Sequence, residues 1–175
     1  MFDLVVFMNY CFIGLPGAGK SFFGRNFAAH RGISFVDGDE VIFQQTGKTI
    51  SQLLTALGNE KFLVLEEGAL LSLEGVKDSA ISPGGSVIYS EKVMSLLKKI
   101  STVIFLDASF ELWKKNLRDP TTVVGLKEKG LEGVFSERRL LYLKYADVIV
   151  PLVKILSAKE GIKLIEEKLL AHEKK

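Results

Sequence analysis

Two spacings of apolar residues alternate along the chain and predict its elements. Short apolar runs at Tyr10-Cys11-Phe12-Ile13, Ile33-Ser34-Phe35-Val36, Lys77 to Ser82, Thr102 to Asp107 and Asp147-Val148-Ile149-Val150 read as strands. Between them, apolar residues recur at helical steps over 22–29, 41–45, 60–74, 91–99, 109–117, 132–145 and 158–172. A further helix begins at Ile50 and is broken by Gly58-Asn59. Phe62, Leu65, Ala69, Leu70 and Leu73 share the spacing of one helix, with Glu66 and Glu67 set among them. The regular alternation of strand and helix predicts an α/β fold, a five-stranded parallel sheet flanked by helices. Met1 to Met8 are largely apolar, with no basic start and no small-residue cleavage site. They read as an N-terminal extension or part of the first strand, too short and interrupted to span a membrane.

Composition narrows this picture. At 175 residues, 47% of them apolar, the chain is expected to form a single domain over 1–175 with a substantial core. A net charge of +2, from 23 basic and 21 acidic residues, is too balanced to suggest a nucleic-acid partner. Cys11 is the only cysteine, so no internal disulfide is possible, and a buried, inert thiol is expected. His30 and His172 stand far apart and offer no zinc-ligand spacing. A cytoplasmic monomer without a membrane partner is expected.

The strongest chemical signal is Gly14-Leu15-Pro16-Gly17-Ala18-Gly19-Lys20-Ser21, a full match to the P-loop pattern G-x-x-x-x-G-K-[ST]. It follows a strand and opens a helix at Phe22, as that motif requires. A glycine-rich turn presents backbone N–H donors without Cβ obstruction, and the helix start adds a positive dipole end. Gly14, Gly17, Ala18, Gly19, Lys20, Ser21 and Phe22 are therefore the candidate ATP-binding residues. Lys20 is suited to reach the β- and γ-phosphates, and Ser21 to hold Mg²⁺.

Asp37-Gly38-Asp39 closes the second strand, where open α/β sheets bind ligands. One aspartate suffices to cap the following helix, and this turn supplies two carboxylates beside a phosphate site. Pro83-Gly84-Gly85 follows the third strand, and paired glycines there allow close approach of a ligand or another backbone. Asp107, after four apolar strand residues, mimics a Walker B aspartate. Residues 119–133, with Pro120, three glycines and many charges, are a candidate mobile lid.

The P-loop, Phe35-Val36-Asp37-Gly38-Asp39, Thr46-Gly47, Phe62, Gly84-Gly85-Ser86-Val87 and Glu137-Arg138-Arg139-Leu140-Leu141-Tyr142 resemble, in order and separation, the shikimate kinase family. The resemblance covers nearly the whole chain from about Tyr10 onward. It implies a three-layer P-loop kinase fold, a substrate-binding helical region at about 38–75 and a lid at about 118–133. It implies ATP and Mg²⁺ as cofactors and a small hydroxylated metabolite, shikimate by default, as acceptor. Lys20 and Asp39 would be catalytic, with Asp39 binding the acceptor hydroxyls. Ser21 and Asp37 would serve the metal, which moves that role away from Asp107. Gly84 and Gly85 would line the acceptor pocket, and Arg138 would grip the acceptor carboxylate.

The chain departs from the family at two arginines. Leu63 stands where the family has an arginine after the phenylalanine matched by Phe62. The stretch Thr121-Thr122-Val123-Val124-Gly125-Leu126 lacks the lid arginine. Arg118, Lys127, Lys129 or Arg139 are candidates to replace that charge. Two other readings follow: a kinase of another polyol or sugar acid, resembling gluconate kinase, and a nucleotide-binding protein without turnover. A nucleotide acceptor fits less well, because this lid is poor in arginine.

Overall fold

The computed structural model describes residues 8–174. The apolar stretch Met1 to Phe7 lies outside the described residues. Five strands form one sheet: β1 (Asn9–Ile13), β2 (Ser34–Asp37), β3 (Ser79–Ser82), β4 (Ser101–Ala108) and β5 (Val148–Leu152), ordered β2-β3-β1-β4-β5 and parallel throughout. All five β1 residues are buried, as befits a central strand covered on both faces. Its register is pinned at its start by Asn9. The Asn9 amide donates to Val76 O (2.7 Å) and Ile100 O (3.1 Å), and its Oδ1 accepts from Ser79 N (3.0 Å). One buried side chain thus ties the entries of β3 and β4 to β1, at the end of the sheet opposite the carboxyl ends of the strands.

Helices α1 (Lys20–Arg31), α2 (Gly38–Thr46), α3 (Ile50–Leu71), α4 (Glu91–Ile100), α5 (Phe110–Asn116), α6 (Leu126–Tyr145) and α7 (Ala158–Glu173) cover the sheet. Their starts follow local chemistry. Thr49 with Gln52, and Ser157 with Glu160, form reciprocal capping boxes at α3 and α7. Asp37 caps α2 by accepting from Asp39 N at 3.0 Å. The start of α1 has no side-chain cap: Gly19, at φ 93°, leaves the first N–H groups of the helix free.

The break expected at Gly58 is a kink inside α3, where Gly58 takes φ 75° and ψ 174°. The stretch read as a candidate mobile lid contains regular structure. Pro120–Thr122 form a 3-10 turn, and α6 begins at Leu126, bending at Gly130 (φ 66°, ψ 176°). Glycine in a non-helical conformation lets one turn of helix change direction, so its presence does not exclude helix on either side.

Apolar side chains form two cores. The larger wraps both faces of the sheet and includes Cys11, Phe12, Phe27, Ile81, Ile104 and Trp113. Cys11 is fully buried, and burial raises its thiol pKa above the ordinary value, so it is the inert thiol expected. The smaller core joins Ile42, Leu53, Phe62, Ala69 and Val124, with Leu63 packed against it. It binds α2 and α3 to the segment before α6.

Candidate active site

A cleft of about 830 Å³ opens at the carboxyl ends of the strands, where such sheets place ligands. It is lined by the P-loop from Pro16 to Ser21, by Phe22, Asp37 and Asp39, and by the Ser82–Ser86 loop after β3. Lys20 is 8% exposed, and its Nζ donates to Leu15 O at 3.1 Å. Burial lowers its pKa to about 8, against the opposing pull of Asp39. An anion bound beside this ammonium would favour its charged form.

Ser21 Oγ donates to Asp37 Oδ2 at 2.8 Å and lies 3.3 Å from Ser82 Oγ. A hydroxyl and a carboxylate converging at the P-loop are hard oxygen donors, the chemistry that suits Mg²⁺ shared with phosphates and water. Among the described residues there is no cluster of three or more His, Cys, Asp or Glu for a wholly protein-bound metal. Asp39 opens onto the cleft. Desolvation by the cleft walls raises its pKa, Lys20 opposes this, and Asp37 adds to it. Asp107, the Walker B mimic, is turned elsewhere: both its oxygens accept from Arg139, Nε and Nη2, at 2.8 Å each. Arg139 is thereby committed as well.

Gly84 and Gly85 are both on the cleft, and both are required by close packing. A Cβ on Gly84 would run into Glu66 Oε1, and one on Gly85 would sit 2.6 Å from Pro16 Cδ. Arg138 is placed differently from the simple expectation. It is wholly buried, behind the cleft wall, with Nη2 donating to Val124 O at 2.7 Å and Nε to Tyr89 Oη at 3.4 Å. Of the proposed replacement cations, Arg118 lines the cleft, and Lys129 is paired with Glu137 at 2.5 Å.

Several contributors escaped the sequence reading. Glu66 lines the cleft at 3% exposure, and its two oxygens accept from Ser86 Oγ at 2.8 and 2.7 Å. An acid on the apolar stripe of α3 was its signal. Trp113, fully buried, donates its indole N–H to Pro16 O at 2.7 Å, and Tyr142 Oη donates to Gly85 O at 2.5 Å. Lys115 and Lys154 also face the cleft. Trp113 and Tyr142 hold the P-loop and the β3 loop in shape, and no local motif marks them.

A parallel sheet in this order, a P-loop after its central strand and an acidic pair after β2, with β3 between, define a P-loop kinase. The family profile described as "SKI: Shikimate kinase" matches residues 16–168. The shikimate kinase of Thermodesulfovibrio yellowstonii is 31% identical over 163 residues, covering 91% of this chain and 94% of its own. That of Francisella tularensis subsp. novicida is 31% identical over 171 residues, covering 93% and 97%. The solved structure of shikimate kinase from Acinetobacter baumannii in complex with shikimate superposes with a TM-score of 0.82 at 25% identity, covering 97% of each chain. The chain belongs to the shikimate kinase family, whose members are ATP-dependent kinases acting on a hydroxyl group. Among the described residues no helix is long and apolar enough to cross a membrane.

Proposed function

We propose that the protein transfers the γ-phosphoryl group of ATP to a hydroxyl of shikimate, giving shikimate 3-phosphate, as a cytoplasmic monomer. The observation that carries this is the convergence, in one cleft, of Lys20, the Ser21–Asp37 pair and Asp39 within a chain of this family. Phosphoryl transfer depends on positioning and charge neutralisation more than on covalent chemistry by the protein. Gly14, Gly17, Ala18, Gly19 and Phe22 would give main-chain donors to the nucleotide phosphates, and Lys20 would add its charge. Ser21 and Asp37 would hold Mg²⁺, which when bound supplies positive charge to the phosphates. Asp39 would accept a hydrogen bond from the attacking hydroxyl and aim it. Gly84 and Gly85 would let the acceptor approach the main chain, and Arg138 would anchor its carboxylate. Residues 118–133 would close over the cleft as a lid above the acceptor region at 38–75, excluding water.

The decisive experiment couples ADP release to shikimate, gluconate and neutral polyols in turn. Shikimate is expected to stimulate release, and Lys20→Ala to abolish it in a folded protein. Tight ATP binding with no stimulation by shikimate would overturn the proposal.

A further inference from the structure

Among the described residues, Arg138 Nη1 is the one buried side-chain nitrogen or oxygen without a hydrogen-bond partner. A buried guanidinium N–H left unpaired is costly, and a charged one more so. The neighbouring Nη2 donates to the main-chain carbonyl of Val124. The side chain of Val124 is 4% exposed and sits in the smaller core with Phe62 and Leu63. The segment before α6 is thus held at two points, its carbonyl on a buried charge and its side chain in an apolar nook. Leu63 builds that nook at the position where the family carries a second cation.

We propose that Val124 is a specificity-determining residue for the phosphoryl acceptor: its carbonyl occupies the place on Arg138 that the acceptor's anionic group takes. This rests on Arg138 being the acceptor's anchoring cation. A carboxylate displaces the carbonyl because it makes two charge-assisted bonds, to Nη2 and to the unpartnered Nη1. A neutral hydroxyl makes one ordinary bond and leaves the side chain of Val124 in its nook. Acid-bearing acceptors therefore enter, and neutral polyols do not.

The test is thiol labelling of a Val124→Cys variant of the full chain. Cys11 is fully buried and serves as the silent internal control. Labelling by a chromogenic disulfide is expected to accelerate about tenfold or more with saturating shikimate, and to stay unchanged with inositol. An unchanged or slower rate with shikimate, or equal acceleration by inositol, would overturn the proposal. Val124→Ala and Leu63→Ala loosen the nook without touching Arg138. Each is expected to lower the KM for shikimate about three- to tenfold while leaving the KM for ATP unchanged. A merely structural role would raise the KM for shikimate or leave it in place, and either result would overturn the proposal. Arg138→Ala separates the two layers. If it leaves the KM for shikimate untouched, the anchoring role itself falls. If it raises that KM while shikimate fails to accelerate labelling of Val124→Cys in the Arg138 background, only the place of Val124 falls.

Discussion

Glu66 lies four residues beyond Phe62 and four before Leu70 on the buried stripe of α3, facing Asp39, Lys20 and Arg138. Burial raises its pKa to about 7, the Ser86 hydroxyl opposes that, and Asp39 adds to it. The folded protein thus keeps a proton that the unfolded chain releases nearer pH 4.5. Its contribution to stability is full below that lower value and is lost as pH rises through about 7. Urea unfolding at pH 5 and pH 8 should show wild type losing on the order of 2–3 kcal/mol more than Glu66→Gln across that interval. An identical loss in both proteins would show that Glu66 does not hold this proton. The acid itself was visible in the sequence as a misfit on an apolar face. Its partner Ser86 stands 20 positions away and became legible only when α3 met the β3 loop. The Ser21–Asp37 contact was legible because Ser21 closes the P-loop motif at the start of α1 and Asp37 ends β2. The capping of Arg138 by Val124 was not, since it depends on a main-chain carbonyl that carries no sequence signature.

The unit formed by β1, the P-loop and α1 is held from outside itself. Its turn touches the loop after β3 where Gly85 meets Pro16, and α5 where Trp113 meets Pro16 O. Gly85→Ala puts a methyl against the proline ring, which cannot swing aside, and pushes the two loops apart. With one loop proposed for the nucleotide and the other for the acceptor, the KM values for ATP and shikimate should both rise, by about tenfold or more. A rise confined to shikimate would mean that the loops move independently. Periodicity placed all five strands and most helices, since each buried face repeats in sequence. It started α6 at 132 and not at Leu126, because Gly125 and Gly130 sit at a helix start and a bend. Composition cannot distinguish a glycine that ends a helix from one that turns it.

Across the whole molecule, stability is divided unevenly between the two cores. The larger draws on both faces of five strands, the smaller on α2, α3 and one residue of the segment before α6. Few buried contacts mean low free energies of local opening. Amide exchange should therefore be faster in residues 41–65 and 119–125 than in β1 and β4, under conditions where the chain stays folded. Equal protection in both regions would contradict a separable acceptor half. The strand order could not be read from the chain, because alternation of strand and helix permits several parallel orders. β1 takes the centre through its apolar run Tyr10-Cys11-Phe12-Ile13 and the Asn9 clamp, a pairing across 67 to 91 positions. The tie between Trp113 and Pro16 has one more consequence. Trp113 is the only tryptophan of the chain, and its indole proton ends on the nucleotide loop. The protein thus carries a single intrinsic fluorophore wired to the main chain of its donor site, an optical gauge of that loop that needs no label.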